Sequence, residues 1–142
     1  MPVKRTIIVG GEGLRYEYEA ASAVSPGDLV ITNNAGKVLR HATAAAKPGL
    51  LFAIENEIFG KGVEVDYAAT DRVLCEACTP GMLVNVNIAA AAPAIVIGDF
   101  LESAGDGTLR KVATAATALA VADEAVDNSA GGSKTRVRAR LI

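Results

Sequence analysis

The chain matches itself at half its length. A duplicated unit constrains the fold more than any local propensity, because both copies must be the same piece of architecture. Ser25-Pro26-Gly27-Asp28-Leu29-Val30, followed by Gly36-Lys37-Val38-Leu39-Arg40, lines up with Ile97-Gly98-Asp99-Phe100-Leu101, followed by Gly107-Thr108-Leu109-Arg110-Lys111. No gap is needed: Gly27/Gly98, Asp28/Asp99 and Gly36/Gly107 are each 71 apart in a chain of 142 residues. After a two-residue deletion, Phe52-Ala53-Ile54-Glu55 meets Val121-Ala122-Asp123-Glu124, and Gly60 to Tyr67 then meets Gly131 to Arg138. The halves are about 25–67 and 96–142. Their size predicts one domain built of two related units, 23–142, preceded by an extended arm, 1–22, that has no clear partner in the second half.

Each unit reads as short strands separated by turns. Asn33-Asn34-Ala35-Gly36 and Gly105-Asp106-Gly107 supply residues that accept the positive φ of tight hairpins. Leu29-Val30-Ile31 is expected to pair with Lys37-Val38-Leu39, and Phe100-Leu101 with Thr108-Leu109. Val63 to Tyr67, Leu83 to Ile88 and Arg136 to Leu141 carry period-two alternation and are predicted strands; Arg15 to Glu19 also alternates, but lies in the stretch read as an extended arm. The Ala-rich stretch 113–126 reads as loop then strand, with a short helix as the alternative, since its first-half counterpart contains Lys47-Pro48-Gly49. The fold class is all-β: a small barrel, or a β-tulip or sandwich of short strands.

Composition narrows the function. The chain is 51% apolar, yet only 4% aromatic and without Trp, because 27 Ala and 15 Val make up most of the excess. This excludes a disordered chain and leaves few platforms for stacking bases or sugars. The most apolar run, Ile88 to Ile97, is too short to cross a bilayer and holds Pro93, and no secretory signal follows Lys4 and Arg5. A protein made and used in a cytoplasm is the expectation. With a net charge of −2, no global field draws it to nucleic acid.

Catalytic groups are scarce. His41 is the single histidine and falls in the strand after the first hairpin, where the second half carries Val112. It reads as a partly buried strand residue, and no Ser-His-Asp set or Gly-x-Ser-x-Gly elbow is present without it. Cys75-Glu76-Ala77-Cys78 has the Cys-x-x-Cys spacing, but a second ligand pair is missing and a strand would point the two thiols to opposite faces. Gly10-Gly11-Glu12-Gly13 and Gly60-Lys61-Gly62 fit neither phosphate-loop pattern. The expectation is no enzyme, no metal and no cofactor.

The last strand is the charged feature with a shape. Lys134, Arg136, Arg138 and Arg140 share one face, and Thr135, Val137, Ala139 and Leu141 the other. A solvated face or a guard for a sheet edge is one reading. The other comes from the repeat: slid by 72, Glu64 and Asp66 meet Arg136 and Arg138, so equivalent strands carry opposite charge and suit complementary pairing within a chain or between subunits.

Pro26-Gly27-Asp28-Leu29-Val30, the Gly36 to Leu39 strand, Gly98-Asp99-Phe100-Leu101, Gly107-Thr108-Leu109 and the terminal Arg136-Val137-Arg138-Ala139-Arg140-Leu141 strand together resemble the capsid decoration, or cement, proteins of tailed bacteriophages. The resemblance spans Ser25 to the C-terminus. It implies a β-barrel or β-tulip protein, often a homotrimer, made in the host bacterial cytoplasm. Such a protein sits on the outer surface of the virion head and locks the major capsid protein lattice against internal pressure. It also implies capsid contact through the N-terminal arm, which places Lys4, Arg5, Arg15, Tyr16 and Tyr18 beside Glu64, Asp66, Arg136, Arg138 and Arg140 as candidate capsid or subunit contacts. A small-molecule or glycan-binding β-module, another phage head or tail component, and a trimeric β-barrel enzyme of nucleotide metabolism are the competing readings; the last lacks an acidic base in a Gly-rich nucleotide motif.

Overall fold

The structure is a computed structural model and describes residues 4–142. Eleven strands and two 3-10 turns follow in order: β1 (Ile8–Gly10), β2 (Leu14–Glu19), β3 (Val30–Thr32), β4 (Val38–Arg40), β5 (Leu51–Ala53), the turn Glu57–Phe59, β6 (Arg72–Ala77), β7 (Leu83–Ile88), β8 (Phe100–Ser103), β9 (Leu109–Val112), the turn Ala115–Thr117, β10 (Ala120–Ala122) and β11 (Thr135–Leu141). The Ala-rich stretch 113–126 is a loop with one 3-10 turn and then a strand, as the repeat predicts.

The second half closes on itself. Its strands run β7-β11-β10-β8-β9, and β9 returns to β7 through the parallel pair Ile88↔Leu109, giving a five-stranded barrel. The first half repeats this circuit in a looser form. β2-β6-β5 is a continuous sheet, the bridge Leu29↔Phe52 carries it to β3, β3 pairs with β4, and the parallel bridge Ala20↔Val38 closes the ring. Every joint has its counterpart: Leu29↔Phe52 corresponds to Phe100↔Val121, and Ala20↔Val38 to Ile88↔Leu109. The two units thus stand in tandem, a closed barrel in the second half and a looser barrel, closed by single bridges, in the first.

This arrangement corrects the repeat boundaries. Val63 to Tyr67 is no strand; only Tyr67 makes a bridge, to Val24, and the counterpart of that bridge is Ile95↔Val126. The true equivalent of β11 is β6, since Ala53↔Cys75 on β5 and β6 answers Ala122↔Ala139 on β10 and β11. The N-terminal stretch also has a partner in the second half. β2 runs beside β6 as β7 runs beside β11, so Tyr16 corresponds to Val84 and Tyr18 to Val86. Of the segment 1–22 read as an extended arm, residues 4–22 are therefore built into the fold: β1 pairs with β7, and β2 is a barrel stave, while residues 1–3 lie outside the described residues. The match ran out in sequence because the loops between paired strands differ in length, 54–71 against 123–134, which shifts the offset.

The turns that open strands are one device used four times. In Ser25–Asp28, Ala68–Asp71, Thr79–Met82 and Val96–Asp99 the last N–H donates to the first C=O at 3.0, 3.1, 3.3 and 3.1 Å. The third residue has positive φ in each: Gly27 94°, Thr70 72°, Gly81 96°, Gly98 94°. That is type II geometry, which is why Gly stands there in three of the four. In the three ending in Asp, the carboxylate also accepts from the first N–H at 2.8 Å.

The barrel interiors correspond position by position. Ala20, Val24, Val30 and Val38 in the first are Ile88, Ile95, Leu101 and Leu109 in the second; Ala53, Val73 and Cys75 are Ala122, Val137 and Ala139. The first interior is lined by smaller groups. The opposite face of its strands supplies Leu29, Phe52, Ile54 and Leu74 to the cluster of the second barrel, where Ile7 and Met82 also lie. The larger of two hydrophobic clusters thus draws on both units and holds them together, while the first barrel's interior forms the smaller one.

Candidate interaction surfaces

The basic face of β11 is largely neutralised within the chain. Arg136 donates from Nη1 to Glu64 at 2.9 Å and from Nη2 to the carbonyls of Val63, at 2.6 Å, and Pro26, at 3.1 Å. The expected Glu64–Arg136 complement forms, but as a loop folded against the strand. The Asp66–Arg138 complement does not: Arg138 donates from Nε to Asp123 at 2.7 Å, and Asp66 is exposed in the loop. Lys134 reaches Ser25 Oγ at 2.6 Å and Asp28 at 3.2 Å. Arg140 is exposed and has no ion pair among the described residues. Of the four basic residues, Arg140 keeps its charge open to a partner.

Two of the N-terminal candidates are built in as well. Lys4 pairs with Glu124, whose carboxylate also accepts from Arg138 N–H at 2.9 Å. Burial pushes Glu124 up, but Lys4 and the Arg138 N–H outweigh it, and the carboxyl ends below its ordinary 4.5. Arg15 bridges Glu57 and the buried Glu76, and its guanidinium is held above its ordinary value chiefly by Glu57. Arg5 is exposed. Tyr16 and Tyr18 stack with ring centroids 6.0 Å apart, Tyr18 packing on the first barrel's interior and Tyr16 standing 42% exposed.

His41 lies just past β4 and is 3% exposed; its Nδ1 is 2.7 Å from Ser103 Oγ and desolvation lowers its pKa below 6.5. Burial pushes the Cys75 and Cys78 thiols up to about 12, which disfavours the thiolate form. A cleft of about 460 Å³ between β1 and β2 is lined by acids, but Glu55 accepts from Thr6 Oγ1 and Ile7 N–H, and Glu76 from Gly13 N–H and Arg15. These carboxylates anchor the N-terminal strands.

The chain shares its fold with the N base of the head fiber gp8.5 in bacteriophage phi29. The likeness has a TM-score of 0.59 and spans 91% of this chain and 93% of that one, at 16% sequence identity. No protein-family model matches the sequence, and no curated protein matches it significantly. At 91% of this chain, the similarity spans more than either half alone.

Sequence reasoning missed the site that ties the two barrels together. Asp28, fully buried, accepts from Ser25 N–H (2.8 Å), Arg40 Nε (2.9 Å), Asn87 Nδ2 (2.8 Å) and Lys134 Nζ (3.2 Å). Arg40 comes from the first barrel, Asn87 and Lys134 from the second. The repeat held the clue: the counterpart is Asp99 with Lys111 at 2.9 Å, in line with Asp28 and Arg40. It also missed the open edge of β2, because pairing partners of an edge are not written in the strand itself.

Proposed function

We propose that this chain is a structural, non-enzymatic protein of a phage head, bound to the outer surface and stabilising the lattice of major capsid subunits as a homotrimer. The observation that carries the reading is the whole-chain fold likeness to a phage head-fiber base. It agrees with the separate resemblance of the Pro26 to Val30, Gly98 to Leu101 and Arg136 to Leu141 motifs to decoration proteins.

Physical features support a part that binds by shape and repetition. Two rigid barrels locked by a shared core and the Asp28 network present fixed surfaces, and many weak contacts made by copies acting together bind tightly without a deep pocket. The groups that would have to do chemistry or grip a small ligand are engaged elsewhere: His41 with Ser103, the cleft acids with their own chain. Left outward-facing are Arg5, Asp66, Arg140 and the apolar Phe59 and Ile97. These are the contacts proposed for the capsid.

Expanded heads of the encoding phage, made without this protein, test the reading. Added protein is expected to sediment with the heads at a fixed copy number and to raise the temperature at which they release DNA. Protein that stays in the supernatant, or heads whose melting is unchanged at saturation, would overturn it.

A further inference from the structure

Among the described residues, β2 has an edge open from Leu14 to Tyr18 whose counterpart in the second barrel is covered. Leu74, opposite Glu17, donates its N–H to Tyr67 Oη at 3.4 Å and accepts from Ile54 N–H at 2.9 Å, so both of its backbone groups turn away from β2. Glu17 and Leu74 are thus a non-hydrogen-bonded pair, and the N–H and C=O of Glu17, with those of Arg15 by alternation, face outward; past Tyr18 the edge meets β4, Ala21 N–H donating to Val38 at 2.8 Å. The same positions on β7 are taken: Asn85 N–H donates to Ile7 at 2.8 Å and Asn87 N–H to Gly27 at 3.1 Å. The side chains follow suit. Met82 and Val84 are 4% and 0% exposed beside β1, whereas their counterparts Leu14 and Tyr16 are 66% and 42% exposed. An edge open from Leu14 to Tyr18, with two bare apolar groups, is a template for another strand.

We propose that the occupant is β2 of a second copy, paired antiparallel about a two-fold axis at Tyr16. In that register Arg15 faces Glu17 of the other copy, twice, Leu14 faces Tyr18, and the two Tyr16 rings meet at the axis. Glu17 has no ion pair within the chain among the described residues, so it is available. The two neighbouring in-phase registers place Arg15 on Arg15 or Glu17 on Glu17, like charges directly opposite. A cleft of about 430 Å³ lined by Arg15, Tyr16, Glu17, Ile58 and Leu74 runs along the edge and admits the incoming side chains. The contact is isologous and closes on itself. It is separate from the three-fold assembly proposed above and would join copies in adjacent trimers.

The full-length chain carrying Tyr16→Cys tests this. A non-hydrogen-bonded antiparallel pair brings the two Cα atoms to roughly 4.5 Å, within disulfide range, so mild oxidation is expected to give a covalent dimer on a non-reducing gel. Glu19→Cys, out of register with itself, is expected to remain uncross-linked, as is the native chain, whose Cys75 is buried and whose Cys78 is partly buried and away from the axis at Tyr16. Adding Glu17→Arg sets cations opposite each other twice and is expected to abolish the cross-link; on the native chain it should weaken self-association in sedimentation roughly tenfold. Thermal melts of each variant establish folding. A folded Tyr16→Cys chain that does not cross-link, equal cross-linking by Glu19→Cys, or self-association indifferent to Glu17→Arg would overturn the proposal. No heads enter the assay, so its failure is read separately from failure of the virion role.

Discussion

At the residue scale, the two equivalent aspartates do different work. Asp99 caps an exposed turn, with the Val96 N–H and then Lys111 holding its carboxyl below 3.8. Asp28 caps the same turn but is buried, and its remaining oxygen lone pairs take Arg40, Asn87 and Lys134. Asp28→Ala strands those donors at the barrel junction and is expected to cost about 3 kcal/mol in urea unfolding, against about 1 kcal/mol or less for Asp99→Ala. His41 supplies a pH signature. Its folded pKa is below 6.5, so the unfolded chain takes up the proton first as pH falls, and stability declines from about 6.5 downward. The depressed carboxyls of Glu124 and Asp99 keep their stabilisation above 4.5 and 3.8 and lose it on further acidification. His41→Asn, which preserves an acceptor toward Ser103, is expected to flatten stability between about pH 5 and 6.5 while leaving the lower acid limb, measured by denaturation at each pH.

At the element scale, turn chemistry decides where strands begin. Gly27 and Gly98 share a φ of 94°, but a Cβ at Gly27 would meet Asn85 O and Asn87 Oδ1 at 3.0 Å, while one at Gly98 would meet nothing. Gly98→Ala is expected to cost the backbone strain, about 1 kcal/mol, and Gly27→Ala at least twice that, in equilibrium unfolding. These elements are also where sequence reading succeeds and fails. Hairpins β3–β4 and β8–β9 were legible because Asn33 to Gly36 and Gly105 to Gly107 are local signals. The strand at Val63 to Tyr67 was not: its alternation of Glu64, Val65 and Asp66 looks like a stave, yet the segment is a loop whose Glu64 serves Arg136. The likeness of β2 to β7 was hidden because Arg15-Tyr16-Glu17-Tyr18 sits on an open edge and Leu83-Val84-Asn85-Val86 is covered by β1. The same backbone position thus carries different side chains.

At the scale of the whole molecule, duplication gives two barrels, and a shared core makes them one cooperative unit. All three tyrosines, Tyr16, Tyr18 and Tyr67, lie in the first barrel and Trp is absent, so tyrosine fluorescence reports that barrel alone while far-UV circular dichroism reports both. Because Leu29, Phe52 and Leu74 belong to the core of the second barrel, the two signals are expected to change at the same urea concentration; separated midpoints would show that the barrels unfold independently. A rigid tandem of this kind, with its charges mostly paired inside and apolar and edge groups left outward, suits a part that works by being held in a lattice. The most direct test is a cryo-EM comparison of expanded heads of the encoding phage with and without the chain. Ordered two-barrel density is expected on the outer surface, repeating at lattice symmetry positions, and absent from heads lacking the protein. Outer surfaces that are identical in the two samples would contradict it.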